Sequence, residues 1–452
     1  MAASTMIDSV VFGGLWSHRA IKALFEEDRR TCAWLEIIAV LAEVQVEFEV
    51  IPSTAGKAIA TCCRTIDVSA EFLDEVRQGR EASGHSMQGL IRAVQVRLAP
   101  SDAQWVYAGA TVQDVTDTWL MMALSDARRI IEEGLRCVGQ ALATLARRHR
   151  DTPMAGRTHG QQGLPITFGF KVAVWLAEVQ RHDQRLAEIA SRMGMAQLAG
   201  GVGSMSSLGE RGLELQRRFA ERLGLSAPRV SWVCSRDVLA EWCGLLAMIT
   251  ATADRIGHEV YNLQRSEIAE VREGFVAGAV GSITMPHKRN PEIAEHLGTL
   301  ARLVRHLAAA VSESLVHDHE RDGRAWKTEW HAVPEVTMMA GRAVELLAQM
   351  LSGLEVDAGR MLSNLRAFGG VVISEAVMLA LAPRIGRDAA HRLMHELSLT
   401  ASASGLALTE AVRNDRRITS WLDAAEVEAL LDVARHTGRC VEMVDRVLAG
   451  ST

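Results

Sequence analysis

Apolar positions in the middle of this chain recur with helical spacing over unusually long distances. From Leu124 they fall at Ile131, Leu135, Val138, Leu142 and Leu145, a 4-3-4-3 rhythm that draws one stripe along a helix. A second stripe is Leu239, Trp242, Leu246, Ile249, Ile256, Val260 and Leu263, and a third is Ile293, Leu297, Leu300, Val304, Leu307 and Val311. Each predicts a helix of roughly 20 residues or more, about 30 Å long at the α-helical rise. Helices of that length pack side by side as a bundle.

The two ends read differently. Shorter helical patterns fill the first part, with breaks at Ile51-Pro52 and Ala99-Pro100, and several short helices follow the Gly369-Gly370 break. The expected organisation is an N-terminal helical part over residues 1–110, a central long-helix bundle over 111–361 and a C-terminal helical part over 362–452. No internal repeat, low-complexity tract or flexible linker interrupts this order.

Composition agrees with an all-α chain. Of 452 residues 48% are hydrophobic, only 5% are aromatic and nine are proline, while unbranched Ala, Leu, Glu and Arg are abundant. The net charge of −6 is spread along the sequence, which gives no electrostatic footprint for nucleic acid or for an anionic membrane. No run approaches the ~18 apolar residues of a membrane span, and the start lacks the basic-then-apolar pattern of a leader, so a cytoplasmic protein acting on small molecules is expected. Seven cysteines without a CxxC pair imply reduced thiols and no zinc site.

Three segments break the helical monotony: Tyr107–Thr118 (YAGATVQDVTDT), Met154–Pro165 (MAGRTHGQQGLP) and Gly281–Pro291 (GSITMPHKRNP). Each mixes glycine with hydroxyl, amide, imidazole or charged groups, and each alone reads as a connecting loop. The third says more. Asn290-Pro291 before the Ile293 stripe predicts a helix start with Asn as cap and Pro at the first helical position. The positive end of that helix, with Lys288 and Arg289 beside it, suits a carboxylate or phosphate. A fourth cluster, His317-Asp-His-Glu-Arg-Asp322, has metal-ligating residue types, but on a helix His317 and His319 point about 200° apart, which argues against a metal.

The third segment resembles the signature loop of the fumarase/aspartase superfamily, in the form found in the branch of adenylosuccinate lyases and 3-carboxy-cis,cis-muconate cycloisomerases. Gly109–Thr118 and Arg157–Gly169 are similar to that superfamily's other two characteristic regions, in the same order. The resemblance implies a β-elimination on a succinyl group through a dianionic aci-carboxylate intermediate. It also implies residue roles. Ser282 corresponds to the loop serine that acts as base, and His159 to the histidine that serves as acid or proton relay. Glu295 corresponds to the carboxylate that orients this histidine, and Lys288 to a cation that holds the developing charge. His85 is similar in placement to a second histidine of adenylosuccinate lyases, though Ser86 stands where an aspartate usually follows. Thr111, Gln113, Thr158, Gln161, Met285, Arg289 and Asn290 fall at substrate-binding positions. Ile283 and Val112 replace the usual serines, which marks an altered site.

The branch is divided by its own residues. Gly200–Gly212 and the Trp326/Trp330 region look like the cycloisomerases, whereas Thr158-His159-Gly160 is like the fumarate-releasing lyases; bacterial cycloisomerases tend to carry tryptophan at the His159 position. The nucleotide-phosphate residues of a housekeeping adenylosuccinate lyase are not visible. The favoured expectation is a lyase releasing fumarate from an N-substituted aspartate or an unusual compound such as nitrosuccinate. Carboxymuconate cycloisomerisation is the runner-up, followed by adenylosuccinate lyase and a non-catalytic structural homologue. The resemblance further implies no cofactor or metal, and a homotetramer whose sites each draw on three subunits.

Overall fold

The computed structural model describes residues 5–274, 284–285, 288–367 and 373–450. Among these, twenty α-helices dominate and strand is confined to two small two-stranded sheets. The chain forms two compact units, Met1–Gly134 with His182–Ala251 and Thr299–Glu345, and Leu135–Arg181 with Thr252–Gly298 and Leu346–Thr452.

The long helices are α1 (Val112–Arg148), α2 (Phe168–Met193), α3 (Asp237–Gln264), α4 (Glu292–Glu313) and α5 (Gly323–Ser352); the three apolar stripes lie on α1, α3 and α4, while α2 and α5 are not predicted by them. Burial follows the stripe: Leu124, Ile131, Leu135, Val138 and Leu142 are all within 2% of full burial, as are Leu297, Leu300, Val304 and Val311. Removing a large aliphatic side chain from water contributes about 1.5–3 kcal/mol, so the stripes account for helix stability better than local propensity does.

In the first unit a core of Leu35, Ile38, Leu41, Ile59, Phe72, Leu90 and Val94 extends to Val112, Val115, Leu215, Phe219 and Trp326. The second unit has its own core, Leu365, Val377, Leu381, Leu393, Leu408, Val412 and Ile418, into which Ala155 projects.

Two local features depart from expectation. The Tyr107–Thr118 stretch is helical from Val112 onward, because α1 begins there. The Met154–Pro165 stretch is an antiparallel hairpin, β1 (Pro153–Thr158) and β2 (Gln161–Thr167), with Thr158 opposite Gln161 and an irregularity between Ala155 and Arg157.

Candidate active site

His159 and Gly160 are the only residues between the paired Thr158 and Gln161. Both have positive φ, +53° and +76°, as a primed two-residue hairpin turn requires. Glycine adopts this conformation freely; for a histidine it costs about 1 kcal/mol or more and is found where surrounding structure imposes it. The hairpin imposes it here, and the imidazole is exposed at the tip between exposed Thr158 and Gln161. Next to the turn the hairpin is held by Arg157, whose guanidinium donates to both oxygens of fully buried Glu270 at 2.9 and 2.6 Å. Asn364 Nδ2 donates to the same carboxylate at 2.9 Å, and Gln162 Nε2 donates to the Asn364 carbonyl at 3.3 Å.

The start of α4 lies in the same unit. Ser282 and Ile283 fall outside the described residues, whereas Thr284, Met285, Lys288 and Arg289 are described and exposed. Helix α4 begins at Glu292, and the Pro291 carbonyl accepts from the Glu295 N–H at 3.0 Å, so Pro291 precedes the first helical residue. Asn290 is therefore not the helix cap; its side chain donates to Glu292 Oε1 at 3.3 Å. The cap comes from Glu273, whose carboxylate accepts from the N–H groups of Ala294 and Ile293 at 2.7 and 3.1 Å. The anion expected at this helix end is thus an internal one. Burial, opposed by those two N–H donors, raises the Glu273 pKa. Glu295 is exposed on the first turn of α4.

Gln264, the last residue of α3, ties both arms of this loop. Its Oε1 accepts from the Glu273 N–H at 2.8 Å and its Nε2 donates to the Arg289 carbonyl at 3.1 Å. Neither Gln264 nor Glu273 lies in the signature motif, and sequence reading missed both. The available signal was only that a glutamine ends a helix shortly before a loop rich in special residues.

In the first unit, Thr111 accepts a hydrogen bond on its hydroxyl from Arg321 Nη1 at 3.0 Å. Its N–H donates to Asp114, whose carboxylate also accepts from Ala199 and Gly200 N–H at 2.9 and 3.1 Å. Asp114 joins two loops with several left-handed residues, Tyr107 and Gly109 on one side, Gly200, Gly203 and Met205 on the other. Burial pushes its pKa up to about 6 against the three N–H donors. Gln113 is fully buried and donates to Asp117 at 3.3 Å and to the Val233 carbonyl at 3.2 Å, while its Oε1 meets no hydrogen-bond donor among the described residues. Val112 is buried. His85 follows Gly84, the left-handed cap of the Ala70–Ser83 helix, and is exposed; its Nδ1 accepts from the Met87 N–H at 3.4 Å.

Below Thr111 sits a charge network that sequence reading also missed. Arg236 donates to Asp117 at 2.8 and 3.1 Å and to Glu329 at 2.6 to 3.1 Å, with all three side chains within 2% of full burial. Asp117 belongs to α1, Glu329 to α5, and Arg236 immediately precedes α3, so one guanidinium ties three long helices together. The His317–Asp322 stretch is irregular, with His319 at φ +54°, so the helical angle between its histidines does not apply. No group of three metal-ligating side chains occurs among the described residues.

Comparison with known proteins agrees with the architecture. Residues 16–305 match the family described as "Lyase", and residues 370–447 match "Adenylosuccinate lyase C-terminus". The chain is 37% identical to an N-acetyl-S-(2-succino)cysteine lyase of Enterococcus italicus, over 99% of this chain and 97% of the relative. It is 35% identical to a 3-carboxy-cis,cis-muconate cycloisomerase of Pseudomonas aeruginosa, over 97% and 96%. The crystal structure of a fumarate lyase from Mesorhizobium sp. BNC1 superposes with a TM-score of 0.89 at 33% identity, covering 96% of this chain and 98% of the other. This chain is a lyase and belongs to the fumarase/aspartase superfamily, in the branch that includes adenylosuccinate lyases and carboxymuconate cycloisomerases.

Proposed function

We propose that this lyase cleaves a succinyl compound by β-elimination and releases fumarate, with a thiol as the leaving group and an amine as the second choice. Ser282 removes the proton from the carbon next to a carboxylate. The electron pair passes through the aci-carboxylate, the bond from carbon to sulfur or nitrogen breaks, and His159 delivers a proton to the departing atom. Glu295 orients that imidazole, while Lys288 and Asn290 hold the extra negative charge. Fixed donors of this kind contribute roughly 10²–10³ in rate each. A serine is a weak base in water, so its activation depends on a site that excludes water. Thr111, Gln113, Thr158, Gln161, Met285 and Arg289 are assigned to substrate binding, and His85 to the reaction as a second proton carrier.

The observation that carries this reading is His159, an imidazole held at the tip of a two-residue turn with φ +53°. An imidazole can protonate a leaving group near neutral pH; the tryptophan usual at this position in bacterial cycloisomerases cannot. The relative named for a succinylated cysteine, matching over 99% of this chain, supports sulfur as the departing atom. Assembly into a homotetramer with sites shared between subunits is part of this reading, as the resemblance to the superfamily implies.

The test is fumarate release from a panel holding N-acetyl-S-(2-succinyl)cysteine, N-succinyl amino acids and 3-carboxymuconate. Fumarate from the thioether, reduced at least ~10² by Ser282→Ala in an intact oligomer, is the expected result. Lactone formation from carboxymuconate, without fumarate from any succinyl compound, would replace this reading with cycloisomerisation, which the 35% identical relative makes the second candidate.

A further inference from the structure

Hydrogen bonds from both strands of the hairpin converge just below the turn that carries His159. Arg157 and Gln162 face each other across it, one residue pair before Thr158 and Gln161. Arg157 clamps both oxygens of Glu270 at 2.9 and 2.6 Å, and Gln162 Nε2 donates to the Asn364 carbonyl at 3.3 Å. Asn364 Nδ2 completes the circuit by donating to Glu270 at 2.9 Å. Each strand therefore has its own anchor, and the two anchors meet at one carboxylate. Beyond them Thr158, His159, Gly160 and Gln161 are all exposed, so the imidazole stands two residues, roughly 7 Å of chain, past this point.

The carboxylate is itself held from several sides, all within the second unit. The Glu270 N–H donates to the Leu263 carbonyl at 2.9 Å, and the Glu270 carbonyl accepts from the Asp357 N–H at 3.0 Å. Between those two bonds runs a short strand pair, Val271–Arg272 against Glu355–Val356. Asn364, on the helix Ala358–Ala367, spends its other amide proton on the Ile268 carbonyl at 2.7 Å. Arg360 of the same helix donates to the carbonyls of Ile268 and Glu267 at 3.1 and 3.0 Å.

Stability is a poor reason for such an arrangement. A carboxylate with no exposed surface and a guanidinium with 16% of its side chain exposed lose hydration that an apolar pair would not, so a buried ion pair contributes little net stability. What a bidentate pair supplies is direction, because two parallel bonds fix both the distance and the plane of the partner. Direction matters to a proton donor, which must come within hydrogen-bond reach of the departing atom; an error of about 1 Å costs on the order of 10² in rate. The left-handed backbone of His159 adds a demand, since such strain persists where neighbours over-determine it.

We propose that Glu270, acting through Arg157 and Asn364, is a positioning residue that aims the His159 imidazole at the leaving group. The inference rests on the elimination proposed above, in which His159 protonates the departing atom. The effect of Glu270 falls on that departure and not on removal of the carbon-bound proton.

Two succinyl thioethers read the difference: one of N-acetylcysteine, whose alkyl thiolate needs a proton as it leaves, and one of 4-nitrothiophenol, whose thiolate is stable without one. Arg157→Lys keeps the cation and loses the two parallel bonds. It should lower kcat for the first by ~10–100-fold, within what a general acid contributes, and for the second by less than about 3-fold. Glu270→Gln should shift the ratio of the two rates the same way. Equal losses on both substrates would mean a scaffold role only, and unchanged rates no role; either overturns the assignment. Should wild type release fumarate from neither thioether, the elimination reading fails by itself, and the hold on His159 is read by hydrogen exchange. The amides of residues 153–167 should then exchange ~10-fold or more faster in Arg157→Lys with other segments unchanged, and unaltered protection there would refute the hold.

Discussion

The starts of α1 and α4 meet the same physical demand with different wiring. Each helix leaves orphan N–H groups and a positive end beside residues assigned to substrate. At α1 the carboxylate is local: Asp114, three residues after Thr111, reaches back to the Thr111 N–H and outward to Ala199 and Gly200. At α4 it comes from 20 residues upstream, where Glu273 closes over Ile293 and Ala294. The first carboxylate is a hub joining two loops; the second is a clasp on one helix, aided by Gln264. A hub should be hard to remove, and a clasp should be easier.

The largest effect is accordingly expected at Asp114. Asp114→Ala leaves three N–H groups without an acceptor, those of Ala199 and Gly200 buried and that of Thr111 half-buried, which should cost about 3 kcal/mol or more in chemical denaturation. A loss below about 1 kcal/mol would mean that Asp114 is no hub. The pH dependence sharpens the point. With its pKa pushed up to about 6 in the folded chain, Asp114 holds a proton more tightly folded than unfolded, so its contribution to stability is fully present below the unfolded value and falls as pH rises through about 6. Relative to Asp114→Asn, wild type should lose stability between pH 4 and 7, by roughly 2–3 kcal/mol at most. The opposite slope would show that the three N–H donors outweigh burial.

Glu273 should matter less for stability and more for the reaction. Glu273→Ala removes one cap, about 1–2 kcal/mol. It also releases the helix end that bears Glu295 and follows Lys288 and Asn290, so kcat for fumarate release should drop by ~10-fold or more. Stability loss with unchanged kcat would reduce Glu273 to a cap and nothing else.

These two helix starts also show what a sequence discloses. Thr111-x-x-Asp114 is written within one turn, yet on sequence it reads as part of a connecting loop and nothing singles out Asp114; the three characteristic segments identified the superfamily because their residue types recur at fixed spacings. The stripes through Leu135 and Leu300 were legible for a similar reason, since a period of 3.6 is a property of neighbouring positions. Glu273 was invisible as a cap because nothing local distinguishes a glutamate that folds back onto a helix 20 residues later from one facing water. The same holds for Arg236, Asp117 and Glu329, which read as ordinary charges until three helices bring them together. The hairpin was read as a loop because Gly, Gln and Pro dominate it and Val and Tyr are missing. Its turn was nonetheless encoded: His-Gly flanked by residues that pair directly is a relative of the Asn-Gly signal.

The smallest effect tests the corrected cap. Asn before Pro at a helix start predicts that Asn290 caps α4, and loss of a capping side chain typically costs about 1 kcal/mol. In the structure Glu273 occupies those N–H groups, and among the described residues the Asn290 side chain makes a 3.3 Å bond to Glu292 at the surface. Asn290→Ala should therefore change unfolding free energy by less than about 0.5 kcal/mol, as for a surface substitution. Its effect should appear instead in turnover, since the side chain is assigned to the substrate carboxylate. A full capping loss with normal kcat would reverse both assignments, returning the cap to Asn290 and removing it from the substrate.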